Sequence, residues 1–266
     1  MIRVLVSGAM GRMGSCVVNA VAAAADLQVA GCYAPLHAGA VVSCADGDFV
    51  CSNDLGDLID ACKPDVMVDF SQPDASLANI ACALAKGVSV VTGTTGVSRE
   101  AMQEAWETHA AKGAKLFFAP NFTTGAVLMM QFSKMAARFF PDIEIIEMHH
   151  NGKKDAPSGT AVQTARMIAE ARDGARNEGP GSETEIAACA GARGCDVEGV
   201  RVHAVRGNGF MASQEVIMSA PGQTLTIRHD STDRNAYMPG VLLAVRNVCN
   251  QPEGFMVGLE TLMGLA

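Results

Sequence analysis

The stretch "IRVLVSGAMGRMG", Ile2 to Gly14, decides the fold. It passes from an apolar, β-branched run into a turn with glycines at 8, 11 and 14, and a helical stretch rich in Ala and Val follows from Met13 to about Ala25. A strand, a glycine-rich turn and a helix in that order form the first unit of a dinucleotide-binding fold. Gly8 permits the tight turn, Gly11 lets a pyrophosphate approach the backbone, and Gly14 lets helix and strand pack closely. The helix N-terminus supplies N–H groups and a positive dipole end for phosphate. The chain has 27 glycines, so an ordinary strand-to-helix turn is the competing reading, and the surroundings must decide.

Working outward, strand-like and helix-like runs alternate. "LQVAGCY", "DVMVDFS", "VSVVTGT" and "KLFFAPN" read as further strands. "DASLANIACALAKG" and "REAMQEAWETHAAKG" carry helical spacing and each closes on a glycine suited to a helix end. Strands this apolar, alternating with helices, predict a parallel, doubly wound sheet covered on both faces. After a helix near residues 125–140 the pattern changes. "IEIIEMHH", "VRVHAVRG", "QEVIMSA" and "QTLTIRHDS" are strand signals in succession, with the turn "SAPGQ" between the last two. That predicts an antiparallel or mixed sheet in a second, α+β domain. Arg172 to Glu183 is polar and glycine-rich and reads as a mobile loop. The helical "MPGVLLAVRNV" near the end is placed back on the first domain, which gives 1–122 plus 234–266 for the dinucleotide domain and 123–233 for the substrate domain.

Composition excludes several classes. Hydrophobic residues are 49%, charged residues 18% and mean hydropathy +0.18, which argues against disorder. A net charge of −8 and a pI near 5.2 argue against nucleic acid or an anionic membrane as partner. No run approaches the roughly 20 apolar residues of a membrane span, and the N-terminus lacks the pattern of a signal peptide. None of the nine cysteines forms a Cys-x-x-Cys pair, and those inside apolar runs, such as Cys62 and Cys82, read as small hydrophobes. A reduced cytoplasm is the expected compartment.

One segment of this acidic protein is locally basic. "EIIEMHHNGKKDAPSGTA", Glu144 to Ala161, gathers His149, His150, Lys153 and Lys154 within six positions. Asn151-Gly152 favours a turn, so a strand ending at His150 would direct His149 and Lys153 into one mouth. Ser158 is suited to cap a helix whose first residues, Gly159 and Thr160, present backbone N–H groups. Protonatable side chains beside such donors make a receptor for carboxylates. A solvated hairpin is the bland alternative. Metal binding by Glu144, Glu147, His149, His150 and Asp155 is a third reading, opposed by the two lysines.

The segment resembles the signature of the dihydrodipicolinate reductase (4-hydroxy-tetrahydrodipicolinate reductase) family. "GAMGRMG" at 8–14, "DFSQPDA" with "VTGTTG" at 69–96, "APNFTTGAV" at 119–127 and "TLTIRHDSTDRNAYMPGVLLAV" agree with that family in order, so the resemblance spans essentially the whole chain. It implies a Rossmann domain, a substrate domain whose mixed sheet mediates a homotetramer, and reduction of a cyclic dicarboxylate by NADH or NADPH. It further implies His149 as acid/base residue, Lys153 as proton donor and carboxylate contact, and His150, Gly159 and Thr160 as carboxylate holders. Gly8, Ala9, Met10, Gly11, Arg12, Met13 and Gly14 would take the pyrophosphate. Gly93, Thr94, Thr95, Ala119, Pro120, Asn121 and Phe122 would line the nicotinamide side. One departure stands out: where the family carries an acid for the adenosine ribose, this chain reads Tyr33-Ala34-Pro35, with His37 the nearest basic candidate. Another two-domain nicotinamide oxidoreductase and a non-catalytic dinucleotide sensor are the rival readings, and the sensor has no use for a proton donor beside a carboxylate receptor.

Overall fold

The computed structural model describes residues 1–177 and 191–265, which fall into two compact units, 1–124 with 237–266 and 125–236. Cys189 and residues 178–183 of the expected loop lie outside the described residues. In the first unit β1 (Ile2–Ser7), α1 (Arg12–Ala22) and β2 (Leu27–Tyr33) form the expected opening. A short hairpin of β3 (Val41–Cys44) and β4 (Gly47–Val50) comes next, then α2 (Leu55–Cys62), capped by Asp54 through the Asp57 N–H. Both went unread in the sequence: the hairpin strands are only four residues each and largely exposed, and α2 is only eight residues long. There follow β5 (Val66–Asp69), α3 (Pro73–Ala85), β6 (Ser89–Thr92), α4 (Arg99–His109) and β7 (Leu116–Phe118). α4 stops four residues short of the expected glycine, because Ala110 turns extended.

The second unit opens in α5 (Thr124–Ala137), followed by β8 (Asp142–His149) and α6 (Gly159–Ala171). Then come β9 (Cys195–Val197), β10 (Val200–Arg206), β11 (Ala212–Ala220) and β12 (Gln223–Ser231). Their order across the sheet is β12-β11-β8-β10-β9. β8 and β10 run parallel, as the intervening α6 crossover requires, while β11 is antiparallel to both its neighbours. The mixed alternative is therefore the one realised. One face of β8, with Ile143 and Ile145, packs on Ala161, Ala165 and Ile168 of α6 and on Met129 of α5. Glu147 and His149 continue that same face, since side chains alternate along a strand.

The chain then returns to the first unit as α7 (Met238–Asn247), β13 (Phe255–Val257) and α8 (Leu259–Leu262). α7 packs on α1, and Arg246 Nε and Nη2 donate to Asp26 at 2.7 and 2.8 Å. β13, too short to be legible, adds a parallel strand beside β7, so the sheet reads β13-β7-β6-β5-β1-β2, every pair parallel. Cys62 and Cys82 are half-buried against this core, and burial pushes both thiols up. Among the described residues no helix is long and apolar enough to cross a membrane.

Candidate active site

Strand order reverses at β1, which has β2 on one side and β5 on the other. Ligands of doubly wound sheets bind beyond the strand C-termini at that point. A cleft of about 370 Å³ lies there, lined by Gly8, Met10 and Gly11, by the segment from Tyr33 to His37, and by Phe70 to Gln72. Gly8 has φ +79°, and a side chain there would sit 2.6 Å from the Phe70 carbonyl. A side chain at Gly14 would overlap the Gly8 carbonyl, so the turn admits no larger residue at either end. Gly11 caps α1 without a side-chain bond, and α1 has no acid in its first turn, which leaves its N-terminal donors facing an anion unopposed. Ala9 is buried under the turn, Met10 and Arg12 are exposed and Met13 is half-buried.

The remaining nucleotide-side residues follow β6 and β7 at the same sheet edge. Thr94 Oγ1 donates to Asp69 Oδ2 at 2.9 Å, as does Ser76 Oγ at 2.8 Å, and Asn79 Nδ2 reaches Asp69 Oδ1 at 3.3 Å. Asp69 thereby ties the ends of β5 and β6 to α3. Gly93 precedes Thr94, and Thr95 is exposed beyond it. Ala119 N donates to Thr92 O, Pro120 is exposed, and Asn121 Oδ1 accepts from Thr123 N at 2.8 Å. Phe122 is buried with its ring edge-on to Phe70, centroids 5.7 Å apart. At the ribose end Ala34 is buried and Pro35 to His37 form a 3-10 turn with Leu36 exposed. No carboxylate lines this cleft among the described residues, and His37 is the basic side chain in its lining. The donors and the open backbone fit a dinucleotide pyrophosphate.

The second unit carries the basic segment. β8 ends at His149, one residue earlier than expected, and His150 stands exposed after it. The Lys153 N–H donates to the His150 carbonyl at 3.1 Å, closing the turn that Asn151-Gly152 favours. His149 Nδ1 lies 2.6 Å from Glu147 Oε2. Burial pulls the His149 pKa below its ordinary value; Glu147 opposes that, and the charges of Lys153 and Arg206 reinforce it. Lys153 is paired with Asp155, two residues further along the same turn. Ser158 caps α6, its Oγ accepting from Ala161 N at 3.2 Å. Gly159 is exposed with open space where a side chain would stand, and Thr160 is half-exposed beside it.

Two further residues shape this site: Glu147, which the sequence offered only as a candidate metal ligand, and Arg206, which it did not single out. Glu147 is fully buried and accepts from His149, from Arg206 Nη1 and Nη2 at 2.8 and 2.9 Å, and from Ser158 N at 3.1 Å. The signal for Glu147 was its place two residues before His149 on a strand, hence on the same face. Arg206 gave no such signal: it arrives from β10, where it pairs with His149 across the sheet.

Two family models match the chain, dihydrodipicolinate reductase N-terminus over residues 2–122 and dihydrodipicolinate reductase C-terminus over residues 125–263. A 4-hydroxy-tetrahydrodipicolinate reductase of Enterococcus faecalis is 44% identical over 263 residues, 99% of this chain and 100% of that protein. One from Mycolicibacterium smegmatis is 44% identical over 266 residues, 99% of this chain and 100% of that protein. Among solved structures, the dipicolinate-bound dihydrodipicolinate reductase of Paenisporosarcina sp. TG-14 matches with TM-score 0.84 and 36% identity, covering 98% of this chain and 99% of that one.

Proposed function

This chain belongs to the dihydrodipicolinate reductase family, and from that premise we propose how its own residues divide the reaction. The protein is an NAD(P)H-dependent oxidoreductase that reduces 4-hydroxy-tetrahydrodipicolinate to tetrahydrodipicolinate in diaminopimelate and lysine biosynthesis. The reduced nicotinamide, when bound, supplies the hydride. The glycine turn from Gly8 to Gly14 holds the pyrophosphate through backbone donors, and the residues after β6 and β7 flank the nicotinamide.

His149 is the acid/base residue and Lys153 the proton donor. The substrate's 4-hydroxyl leaves with a ring hydrogen as water; hydride arrival then makes the unsaturated ring electron-rich, and that site must take a proton from a group titrating near neutrality. Lys153, His150 and the N–H groups of Gly159 and Thr160 grip the ring's two carboxylates. The observation that carries this reading is the convergence of His149, the Lys153 turn and the open start of α6 within one segment. The dipicolinate bound to the Paenisporosarcina enzyme supports a planar dicarboxylate as the ligand class. The test is cofactor oxidation, followed by nicotinamide absorbance, with freshly generated hydroxy-tetrahydrodipicolinate. Turnover is expected; none with either cofactor removes the reading.

A cytoplasmic homotetramer completes the proposal. β12 forms one edge of the second unit's sheet with its residues from Gln223 to Thr226 exposed, and such an edge invites pairing with another copy. Light scattering on the purified chain tests it, and a monomer mass rejects it.

A further inference from the structure

Glu147 raises a question of cost. A carboxylate with no exposed surface is expensive unless its oxygens are fully engaged. Here Oε1 accepts from Arg206 Nη2 and Ser158 N, while Oε2 accepts from Arg206 Nη1 and His149 Nδ1. These four contacts match the acceptor capacity of an ionised carboxylate. Burial pushes Glu147 up, but the bonds from Arg206 and His149 and their charges outweigh it and hold the carboxyl below its usual range.

Arg206 alone matches the charge of Glu147. A pair that served only the fold could be replaced by apolar residues at little loss. The two remaining contacts go to His149 and to the residue that caps α6, both in the segment read above as the substrate site. Arg206 Nη2 also donates to the Asp155 carbonyl at 2.7 Å, so the turn holding Lys153 hangs from the same centre. Because an ionised Glu147 has no proton to give, the proton between it and His149 must be carried by Nδ1. The free ring nitrogen is then Nε2, and which imidazole nitrogen is free is set by the bond the other makes.

We propose that Glu147 is the positioning residue of this site: it fixes His149 in the Nδ1–H tautomer with Nε2 free to exchange a proton, and it locks the start of α6 in register with that imidazole. The proposal rests on the reading of His149 as the acid/base residue. The charged groups bearing on His149 are Glu147 on its own strand, Lys153 from the following turn and Arg206 from β10. Across the β11 pairing the facing residue is Ala212, which carries no charge.

Proton–nitrogen correlation NMR of the full chain reads the tautomer directly, with the His149 signals identified by their loss in His149→Gln. The Nδ1–H form is expected in the neutral state, and the Nε2–H form overturns the proposal even if no Glu147 variant folds. Glu147→Gln keeps the shape and removes the charge. It is expected to bind NADH within about twofold of the parent, to lower kcat by roughly 10²-fold and to change KM by less than about threefold. Removing the anion also lowers the proton affinity of His149, so the histidine limb of the kcat profile moves to lower pH. Glu147→Asp, which keeps the charge, returns that limb toward its original position. If Glu147→Gln leaves kcat and the limb in place while His149→Gln is impaired, Glu147 serves the fold alone. Near-normal turnover in His149→Gln removes the underlying reading instead, and with it any role for Glu147 through His149.

Discussion

Lys153 Nζ lies 2.9 and 2.8 Å from the two carboxylate oxygens of Asp155. The lysine is thus already seated on a carboxylate supplied by its own turn, in the manner it is proposed to hold one from the substrate. Asp155 is well exposed, so solvent screens the pair, and exposed pairs are worth about 0–1 kcal/mol. The internal carboxylate is therefore a weak rival. Asp155→Asn should tighten pyridine-2,6-dicarboxylate inhibition by up to about fivefold. Lys153→Ala should lower kcat/KM by roughly 10²-fold or more with NADH affinity intact. Steady-state kinetics on both variants check the contrast, and equal losses in both would contradict it.

Gly159 separates binding from stability. Open space surrounds the position where its side chain would stand, and it occupies the first turn of α6. Gly159→Ala should fold as well as the parent or better, since alanine favours helix by up to about 1 kcal/mol. The added methyl crowds the N–H donors proposed to grip a carboxylate. Inhibition by the dicarboxylate should weaken about tenfold while the melting temperature holds or rises. The monoacid analogue should bind the parent less well than the diacid, because one set of donors is then left without its partner.

No carboxylate lines the ribose end of the cleft among the described residues. Both NADH and NADPH should be used, with kcat/KM values within roughly tenfold, about 1.4 kcal/mol. Pro35 is exposed and lines the cleft, so Pro35→Asp restores a carboxylate there without burying it. That variant should disfavour NADPH by about tenfold or more relative to NADH, through repulsion of the 2′-phosphate. A parent preference beyond roughly a hundredfold would point to a charged group such as Arg12 or His37 reaching the ribose.

Burial lowers the pKa of His229 as it does that of His149, the nearby Asp230 working against it. An ordinary histidine titrates near about 6.5 in the unfolded chain. Between that value and the lower folded one, the unfolded state binds more protons, so stability falls as pH falls through the window. The lowered carboxyls of Glu147 and Asp155 act in the same direction at more acid pH. His229 packs against Gly125, and in the sheet Gln214 of β11 stands between it and Glu147. His229→Gln should therefore reduce the drop in melting temperature between about pH 7 and about pH 5. An unchanged drop would mean that His229 is as easily protonated in the fold as outside it.

What could be read from sequence was whatever local pattern encodes. The glycine turn, the alternation of strands and helices, and the Ser158 cap each follow from neighbours a few positions apart. β13 and the β3–β4 hairpin were missed because three or four residues carry too little periodicity. The partners of Glu147 were missed for a different reason: Arg206 lies 59 positions away and meets it only through the β8–β10 register. The pairing of Lys153 with Asp155 was not legible either, because sequence proximity does not say which way either side chain turns. Charges in a segment can be counted from the sequence, but their pairing is a property of the fold.

The return of the chain to its first unit bears on how the protein is made. Residues 125–236 are continuous, so the ribosome delivers the whole second unit before the material that completes the first. Until α7 and β13 emerge, α1 lacks one of its packing partners and β7, paired only with β6, remains an open edge. A nascent chain thus carries an intact phosphate turn on an unfinished sheet, and such open edges are where folding intermediates aggregate. Truncations within the final thirty or so residues should for this reason harm yield more than their distance from the reacting groups suggests.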